Sequence, residues 1–117
     1  NPLSLKELIL MDDAAFRARF RHTPLWRARR RGLLRNAAIV LGNTRPPQAF
    51  ELLCRIAGDA DPIVRAAAAW ALGQLQSPAA RAVLAQRLAA ETDPAVQSEL
   101  LMALQQHAMP AATGQQS

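Results

Sequence analysis

Several features that mark secreted, membrane or disulfide-linked proteins are missing from the sequence. Cys54 is the only cysteine among 117 residues, so an internal disulfide is excluded and a reducing, cytoplasmic setting is expected. No apolar run approaches the roughly 20 residues that span a bilayer, and no signal-peptide pattern is present. We therefore expect no membrane partner. The chain begins with Asn1 rather than methionine, which favours a piece of a longer protein.

The motifs that usually mark an active site are also missing. The sequence has no glycine-rich phosphate loop, no nucleophile elbow and no Cys-x-x-Cys pair. His22 and His107 have no ligand spacing around them, so a zinc or iron site is not expected. Cys54 shares a helical face with Leu53 and Ala57, which favours burial over reactivity. We predict no catalytic residue and no metal site in this chain.

Aromatic and β-branched residues are few, whereas good helix formers dominate. Tyrosine is absent and aromatic residues make up 4% of the chain, which disfavours a β-sheet protein. Alanine, leucine, arginine and glutamine are prominent, and all have high helix propensity. Hydrophobic residues make up 50% of the chain, which indicates a packed core rather than disorder. The composition predicts one all-α domain.

Helix starts can be located because a capping residue recurs directly before a proline. This pair occurs at Thr23-Pro24, Asp61-Pro62, Ser77-Pro78 and Asp93-Pro94. It puts a side-chain oxygen at the N-cap and a proline at the first helical position, where the missing N–H costs nothing. We predict helices over 24–42, 47–57, 62–74, 78–90 and 94–107, after two shorter ones at 4–10 and 13–20. Asn43 is expected to end the first long helix in the left-handed conformation.

The helix starts repeat with a period of about 30 residues. Asp61-Pro62-Ile63-Val64-Arg65 returns thirty-two residues later as Asp93-Pro94-Ala95-Val96-Gln97. Ala71-Leu72-Gly73 returns in the same register as Ala103-Leu104-Gln105. Two helices per unit at this period indicate an α-solenoid, in which each helix pair exposes an apolar face that its neighbour covers.

The repeated segment resembles a known helical repeat. Residues 61–73, Asp-Pro-x-Val-Arg-x-x-Ala-x-x-Ala-Leu-Gly, resemble the second helix of a short HEAT-like repeat. We predict an all-α fold, an α-α superhelix built as a short HEAT-like repeat solenoid. The chain divides into basic N-terminal helices with a divergent half-repeat at 1–43, HEAT-like repeats at 44–107 and a disordered tail at 108–117. Such repeats bind many partners, so the fold alone does not give the function.

The N-terminal part resembles one enzyme family more specifically. Residues 16–43 contain Phe-Arg-x-x-Phe, Thr-Pro-Leu and Arg-x-Gly-Leu-x-Arg-Asn-Ala-x-Ile-x-Leu-Gly-Asn. These motifs resemble the C-terminal region of bacterial epoxyqueuosine reductase, which completes queuosine at the tRNA wobble position, and the match spans residues 8–75. For the parent, the resemblance implies an oxidoreductase with cobalamin and two 4Fe–4S clusters, whose catalytic region precedes Asn1. For this fragment it implies a non-catalytic domain that binds the anticodon region of tRNA and docks on the catalytic domain of the same chain.

Positive charge is concentrated near the start of the chain. The net charge of +5 divides into +6 over residues 1–35 and −1 over the remainder. Eight arginines and no acid lie between Arg17 and Arg35. Arginine binds phosphate bidentately and stays charged, so this segment is the candidate tRNA-binding site. The predicted contacts are Arg17, Arg21, Arg27, Arg29, Arg31 and Arg35.

The helical register of residues 24–42 gives these arginines an orientation. Arg27, Arg31 and Arg35 are four apart and form one stripe. The opposing arc is expected to pack inward, and it contains Leu33, Leu34, Ala37, Val40 and Leu41. Arg30 projects toward that arc, so either Gly32 bends the helix or Arg30 serves an interface. Trp26 and Trp70 are expected to pack in the core, although Trp26 among arginines also suits base stacking.

Three other readings of the basic segment stay open. Arginines can simply solvate a helix, although solvated helices usually interleave both signs of charge. The same helices can form a protein–protein interaction scaffold that covers an acidic partner, and an exposed apolar patch around Leu25 and Trp26 would favour it. Attachment to an anionic membrane is weaker, because the apolar arc is needed for the core.

Overall fold

The computed structural model describes residues 26–115 and five isolated positions before them, namely 6, 9, 14, 15 and 18. Side chains are described for residues 28–106 and for those five positions. Five α-helices lie within residues 26–115: α1 (Trp26–Thr44), α2 (Ala49–Ala57), α3 (Pro62–Leu75), α4 (Pro78–Ala90) and α5 (Pro94–Gln115). The isolated positions are helical, but the rest of the two short helices predicted at 4–10 and 13–20 lies outside the described residues.

Three helices begin where the capping pairs predict. At the start of α3, the Asp61 carboxylate accepts a hydrogen bond from the Ile63 amide at 2.9 Å. Ser77 and Asp93 accept equivalent bonds at the starts of α4 and α5. Each bond satisfies a backbone N–H group that has no partner inside its own helix. Local sequence therefore sets where α3, α4 and α5 begin.

The end of α1 lies later than predicted. Asn43 is helical, and the residue in the left-handed conformation is Arg45, with φ 49°. The Arg45 amide donates to the Leu41 carbonyl at 2.9 Å, which closes the last turn. Pro46 follows, and the residue before a proline is disfavoured in the right-handed helical region. The proline therefore ends the helix.

The helices pack in two layers around a core of alanine, leucine and valine. Helix α3 lies between α1 and α5, while α2 packs against α1 and α3, and α4 packs against α3 and α5. Every helix contributes at least one of the largest fully buried side chains, which are Leu41, Leu53, Val64, Leu72, Leu84 and Val96. Burying each of them contributes about 1.5–3 kcal/mol. This architecture confirms the predicted all-α repeat solenoid.

Helix α3 approaches both neighbouring helices closely at glycines. A Cβ added to Gly42 on α1 would lie 2.9 Å from Ala71 Cα and 2.9 Å from Trp70 Cζ3. A Cβ added to Gly73 on α3 would lie 3.0 Å from Ala103 Cβ on α5. Because protein interiors are close-packed, a side chain at Gly42 would force the contacting groups to shift, and one at Gly73 would require Ala103 to move slightly. The two glycines, thirty-one residues apart, mark the points where successive repeats meet.

Polar contacts join successive interhelical loops along one edge. Arg65 on α3 donates from Nε and Nη2 to the two carboxylate oxygens of Glu91, at 2.9 and 2.8 Å. Its Nη1 donates to the carbonyl oxygens of Asp59 and Ala60 at 3.0 and 2.9 Å. One repeat later, Gln97 donates to the Glu91 carbonyl at 2.8 Å. The hydrogen bond from Arg65 lowers the pKa of Glu91 despite the opposing effect of burial, and the same bond raises the pKa of Arg65.

The last helix is longer than predicted. Helix α5 continues to Gln115, whereas the sequence predicted an end at residue 107 and a disordered tail from 108. The additional segment holds Ala108, Ala111 and Ala112, and alanine has the highest helix propensity of all residues. Residues 116 and 117 lie outside the described part of the chain. The division of the chain at residue 43 stays a prediction.

Candidate nucleic-acid interface

Helix α1 carries four of the six arginines of the candidate site, and the structure places the described ones on two sides. The helix holds five arginines and no acid. Arg31 and Arg35, four residues apart, lie on the flank next to α3. Arg29 is two residues from Arg31 and therefore lies on the opposite side of the helix. All three are exposed, but only Arg31 and Arg35 are brought together.

The other three predicted contacts lie wholly or partly outside the described residues. Arg17 and Arg21 belong to the part of the chain that is not described, and Arg27 lies on α1 with its side chain outside the described range. The placement of these three guanidinium groups stays a prediction. The same holds for the indole of Trp26.

The prediction for the buried side of α1 is partly wrong. Leu34 and Leu41 are buried as expected, but Val40 is 48% exposed. The packing face is therefore centred on Leu34 and Leu41, and it turns away from Val40. Arg31 and Arg35 lie beside this face rather than opposite to it, because α3 packs against α1 on that flank.

Arg30 belongs to the interface between α1 and the loop before α3. Its Nη1 donates to Asp59 Oδ2 at 3.1 Å, and its Nη2 donates to Asp59 Oδ1. Asp59 Oδ2 also accepts from the Asp61 amide at 2.9 Å. Both side chains of the pair are largely buried. The expectation that Arg30 serves an interface is confirmed, and the interface is internal to the chain.

Arg31 combines a structural contact with an exposed surface. Its Nε donates to Asp61 Oδ2 at 2.7 Å, while 45% of its side chain stays exposed. Asp61 also caps α3. Burial alone would raise the pKa of Asp61, but the hydrogen bonds from Arg31 and from the Ile63 amide outweigh it and lower that pKa. The Asp61 carboxylate therefore partly neutralises the charge of Arg31.

A groove of about 500 Å³ extends across α1, α3 and α5. Its floor is apolar and is lined by Ile39, Pro62, Ile63, Ala66, Ala67, Trp70 and Ala95. Arg35 lies on the α1 side, and Asp93 and Glu99 lie on the α5 side. The groove therefore has a cationic border and an anionic border. This size is in the range of sites that bind small ligands.

One signal for this groove is present in the sequence, in the spacing of residues along α3. Ile63, Ala66, Ala67 and Trp70 are spaced three and four residues apart, as residues on one helix face are. We predicted Trp70 as a core residue. It packs partly against the core and partly lines the groove, so α3 has a second, open apolar face.

The remaining candidates for catalysis or metal binding are weaker. Burial raises the pKa of the half-buried Cys54 thiol; Arg87 opposes this effect and Glu51 adds to it. The thiol is therefore held protonated, which disfavours nucleophilic chemistry. Within the described residues, no group of three or more His, Cys, Asp or Glu side chains is arranged to hold a metal ion. None of the helices in the described part of the chain is long and apolar enough to cross a membrane.

Comparison with known proteins supports the architecture. The family model for HEAT repeats matches residues 25–105. A crystal structure of epoxyqueuosine reductase with an epoxyqueuosine-modified tRNA-Tyr stem loop is similar, with a TM-score of 0.73 and 28% sequence identity over 88% of this chain. A structure of selenomethionine-labelled epoxyqueuosine reductase is similar at a TM-score of 0.72 and 28% identity, again over 88% of this chain.

The similarity covers a small part of those solved proteins. This chain spans 28% of the length of each reductase chain. No curated protein matches the sequence at a significant level. The resemblance to the HEAT-like domain of epoxyqueuosine reductase is confirmed at the level of fold and sequence.

Proposed function

Because the chain belongs to the HEAT repeat family, we propose that it is a tRNA-docking domain of an epoxyqueuosine-reductase-like enzyme. In this role it binds the anticodon region and presents the wobble base to a catalytic domain elsewhere in the parent protein. The observation that carries this proposal is the charge of α1, which holds five arginines and no acid. Asp59 and Asp61, which bond Arg30 and Arg31, belong to the loop before α3.

Phosphate is the partner chemistry that suits this surface. Positive side chains grouped on one element raise the local concentration of a polyanion and position it through backbone contacts. The similar reductase structure contains a tRNA stem loop, which supports RNA over other polyanions. Arg29, Arg31 and Arg35 are exposed on α1 and are the described side chains that we assign to RNA. Because Arg29 lies on the opposite side of the helix from Arg31 and Arg35, in this proposal the RNA contacts both sides of α1.

We assign the redox chemistry to the catalytic part of the parent enzyme. A 4Fe–4S cluster is held by four cysteine thiolates, whereas this sequence has one cysteine. The residues present therefore do not fit the two clusters implied for the parent. In this proposal the domain contributes substrate binding, and cobalamin and the clusters are held elsewhere.

Charge removal on α1 tests the proposal. We expect the double variant Arg27→Gln with Arg29→Gln to weaken binding of a tRNA anticodon stem loop, measured by fluorescence anisotropy at several salt concentrations. The slope of log affinity against log salt should fall by about one unit for each phosphate that the variant no longer neutralises. Glutamine is chosen because it keeps helix propensity. Arg31 is left unchanged, because its substitution would also remove the partner of Asp61.

A matched control separates this contact from general charge attraction. Arg55→Gln with Arg81→Gln removes the same charge from exposed positions on α2 and α4. This control should bind the stem loop with unchanged salt dependence. If both double variants lose affinity equally, or if neither loses any, the assignment of RNA binding to α1 is wrong.

A second candidate function is a protein-interaction scaffold, and one observation favours it. Leu101 and Met102 on α5 are 49% and 51% exposed, and adjacent exposed apolar side chains often mark a protein contact. The partner would be the catalytic domain of the parent chain. Replacing both residues by serine should weaken association with that domain without changing the affinity for the stem loop. A drop in RNA affinity instead would contradict this division of surfaces.

A further inference from the structure

We infer that the groove across α1, α3 and α5 binds one unpaired guanine nucleotide of RNA, with its phosphate at Arg35 and its base beside Trp70 and Glu99. The inference rests on the proposed function for its RNA partner, but it names a different surface from the exposed start of α1. Arg35 joins the two surfaces, because it lies on α1 and on the border of the groove.

The size and lining of the groove suit a single flat ring. Its volume of about 500 Å³ falls within the range of small-ligand sites. Ala66 and Ala67 on α3 have short side chains, so they leave the space that Ile63 and Trp70 border. Single-stranded RNA is recognised through unstacked bases that pack on aromatic side chains. Trp70 supplies that aromatic surface within the groove.

The position of Trp70 is held by the helix packing. A Cβ at Gly42 would lie 2.9 Å from Trp70 Cζ3, so the indole lies directly against the α1 backbone at a residue without a side chain. A ring fixed in this way needs little ordering when a base packs on it, and preorganisation of this kind favours binding. Gly42, which allows α1 and α3 to pack closely, therefore also fixes the position of Trp70 in the groove.

The charges at the two borders of the groove determine the orientation of the bound nucleotide. Asp93 and Glu99 on the α5 side repel a phosphate, whereas Arg35 on the α1 side attracts it. Asp93 already accepts two backbone hydrogen bonds at the start of α5, which leaves Glu99 as the carboxylate that is better placed to bind a ligand. A nucleotide therefore enters with its phosphate toward α1 and its base edge toward α5.

The carboxylate selects among the bases by hydrogen bonding. An ionised carboxylate accepts hydrogen bonds and donates none. Guanine presents the N1–H and N2–H groups side by side, so it can donate to both oxygens of Glu99. Adenine and cytosine place an acceptor nitrogen next to their amino group, and that nitrogen would face a carboxylate oxygen. Uracil offers one N–H between two carbonyl groups, so guanine is the base that matches this border.

Trp70 fluorescence gives a direct test. In a Trp26→Phe background, Trp70 is the only tryptophan of the 117-residue chain. Titration with GMP should quench its emission saturably, and GMP should bind roughly tenfold or more tightly than AMP, CMP or UMP because only guanine makes the paired contact. Glu99→Gln should abolish this preference, and Ala67→Leu should fill the groove and abolish the quenching. Glu51→Gln on α2 removes an exposed carboxylate outside the groove and should change neither.

Stem-loop binding separates this inference from the proposed function. We expect Ala67→Leu and Glu99→Gln to weaken binding of a stem loop that has an unpaired guanine, with little effect on one whose loop lacks guanine. Thermal melts of both variants check that they are folded. If the Arg27 and Arg29 double variant loses stem-loop affinity while GMP does not quench Trp70, the docking function stands and the guanine site is wrong. Equal responses to all four nucleotides, or no response to any of them, overturn the guanine site.

Discussion

Two regions of the molecule use arginine in opposite ways. At the start of α1, Arg31 has 45% of its side chain exposed and bonds a carboxylate through Nε. Where α3 meets its neighbours, Arg65 has 19% of its side chain exposed and donates from all three of its nitrogens. An exposed guanidinium can still bind a phosphate, whereas a guanidinium that is hydrogen-bonded at every nitrogen stabilises the fold. The number of arginines therefore indicates function only after their partners are known.

Removing each arginine in turn should give the largest contrast between the two regions. We expect Arg65→Met to lower the free energy of unfolding by about 3 kcal/mol, because it leaves the Glu91 carboxylate, 6% exposed, without its cationic partner. Arg31→Met should cost less than about 1 kcal/mol, as an exposed ion pair does. Urea unfolding of both variants measures the difference.

The reverse order would break the comparison. If Arg31→Met proved as destabilising as Arg65→Met, Arg31 at the start of α1 would stabilise the fold as much as Arg65 on α3 does. Its arginines would then be poor candidates for binding RNA. Arg65→Lys is a useful intermediate, since it keeps the charge but cannot bond both oxygens of Glu91 as the planar guanidinium does.

The sequence predicts this fold well where the signals are local. The starts of α3, α4 and α5 depend on a capping side chain and a proline that are adjacent in the chain. The sequence predicts the end of α1 too early, because Gly42 and Pro46 give competing local signals. Gly42 is required for contact with α3 rather than for ending the helix, and only the tertiary structure shows that.

The candidate site is less predictable, because its partners are distant in the chain. Arg30 and Arg31 are bonded by carboxylates that lie 29 and 30 residues later, and helical spacing on α1 says nothing about them. The groove needs three helices side by side, so no single segment predicts it. The open apolar face of α3 was present in the spacing of Ile63, Ala66 and Trp70, but a second apolar face on a helix looks like additional core.

Glycines provide a contrast of intermediate size between the same regions. Gly32 lies near the exposed start of α1, and a Cβ there would have nothing within 4 Å. Gly32→Ala should therefore raise the free energy of unfolding by about 0.5–1 kcal/mol through helix propensity. Gly42→Ala should lower it by about 1–3 kcal/mol, because the new Cβ meets the α3 backbone. Thermal or urea unfolding checks both signs, and a stabilising Gly42→Ala would show that the helices can separate without cost.

Acidification should distinguish the two regions by the smallest margin. The pKa values of Glu91 and Asp61 are both lowered in the folded chain. A lowered pKa means that folding favours the ionised carboxylate, so its contribution to stability is complete above the unfolded-state value and is lost as pH falls through the folded-state value. We therefore expect stability to decline below about pH 4.5. Urea midpoints measured over a pH series should show the decline.

Substitution of each carboxylate assigns this decline to a region. Glu91→Gln should reduce the loss of stability at low pH more than Asp61→Asn does. The reason is that the Glu91 carboxylate is 6% exposed and its partner Arg65 is more buried than Arg31. Asparagine also remains a good N-cap, so Asp61→Asn removes the ion pair while keeping the start of α3. If the two substitutions reduced the loss of stability at low pH equally, Asp61 would bind Arg31 as strongly as Glu91 binds Arg65. Binding of phosphate at α1 would then have to displace a structural ion pair, and tRNA affinity should rise as Asp61 is neutralised.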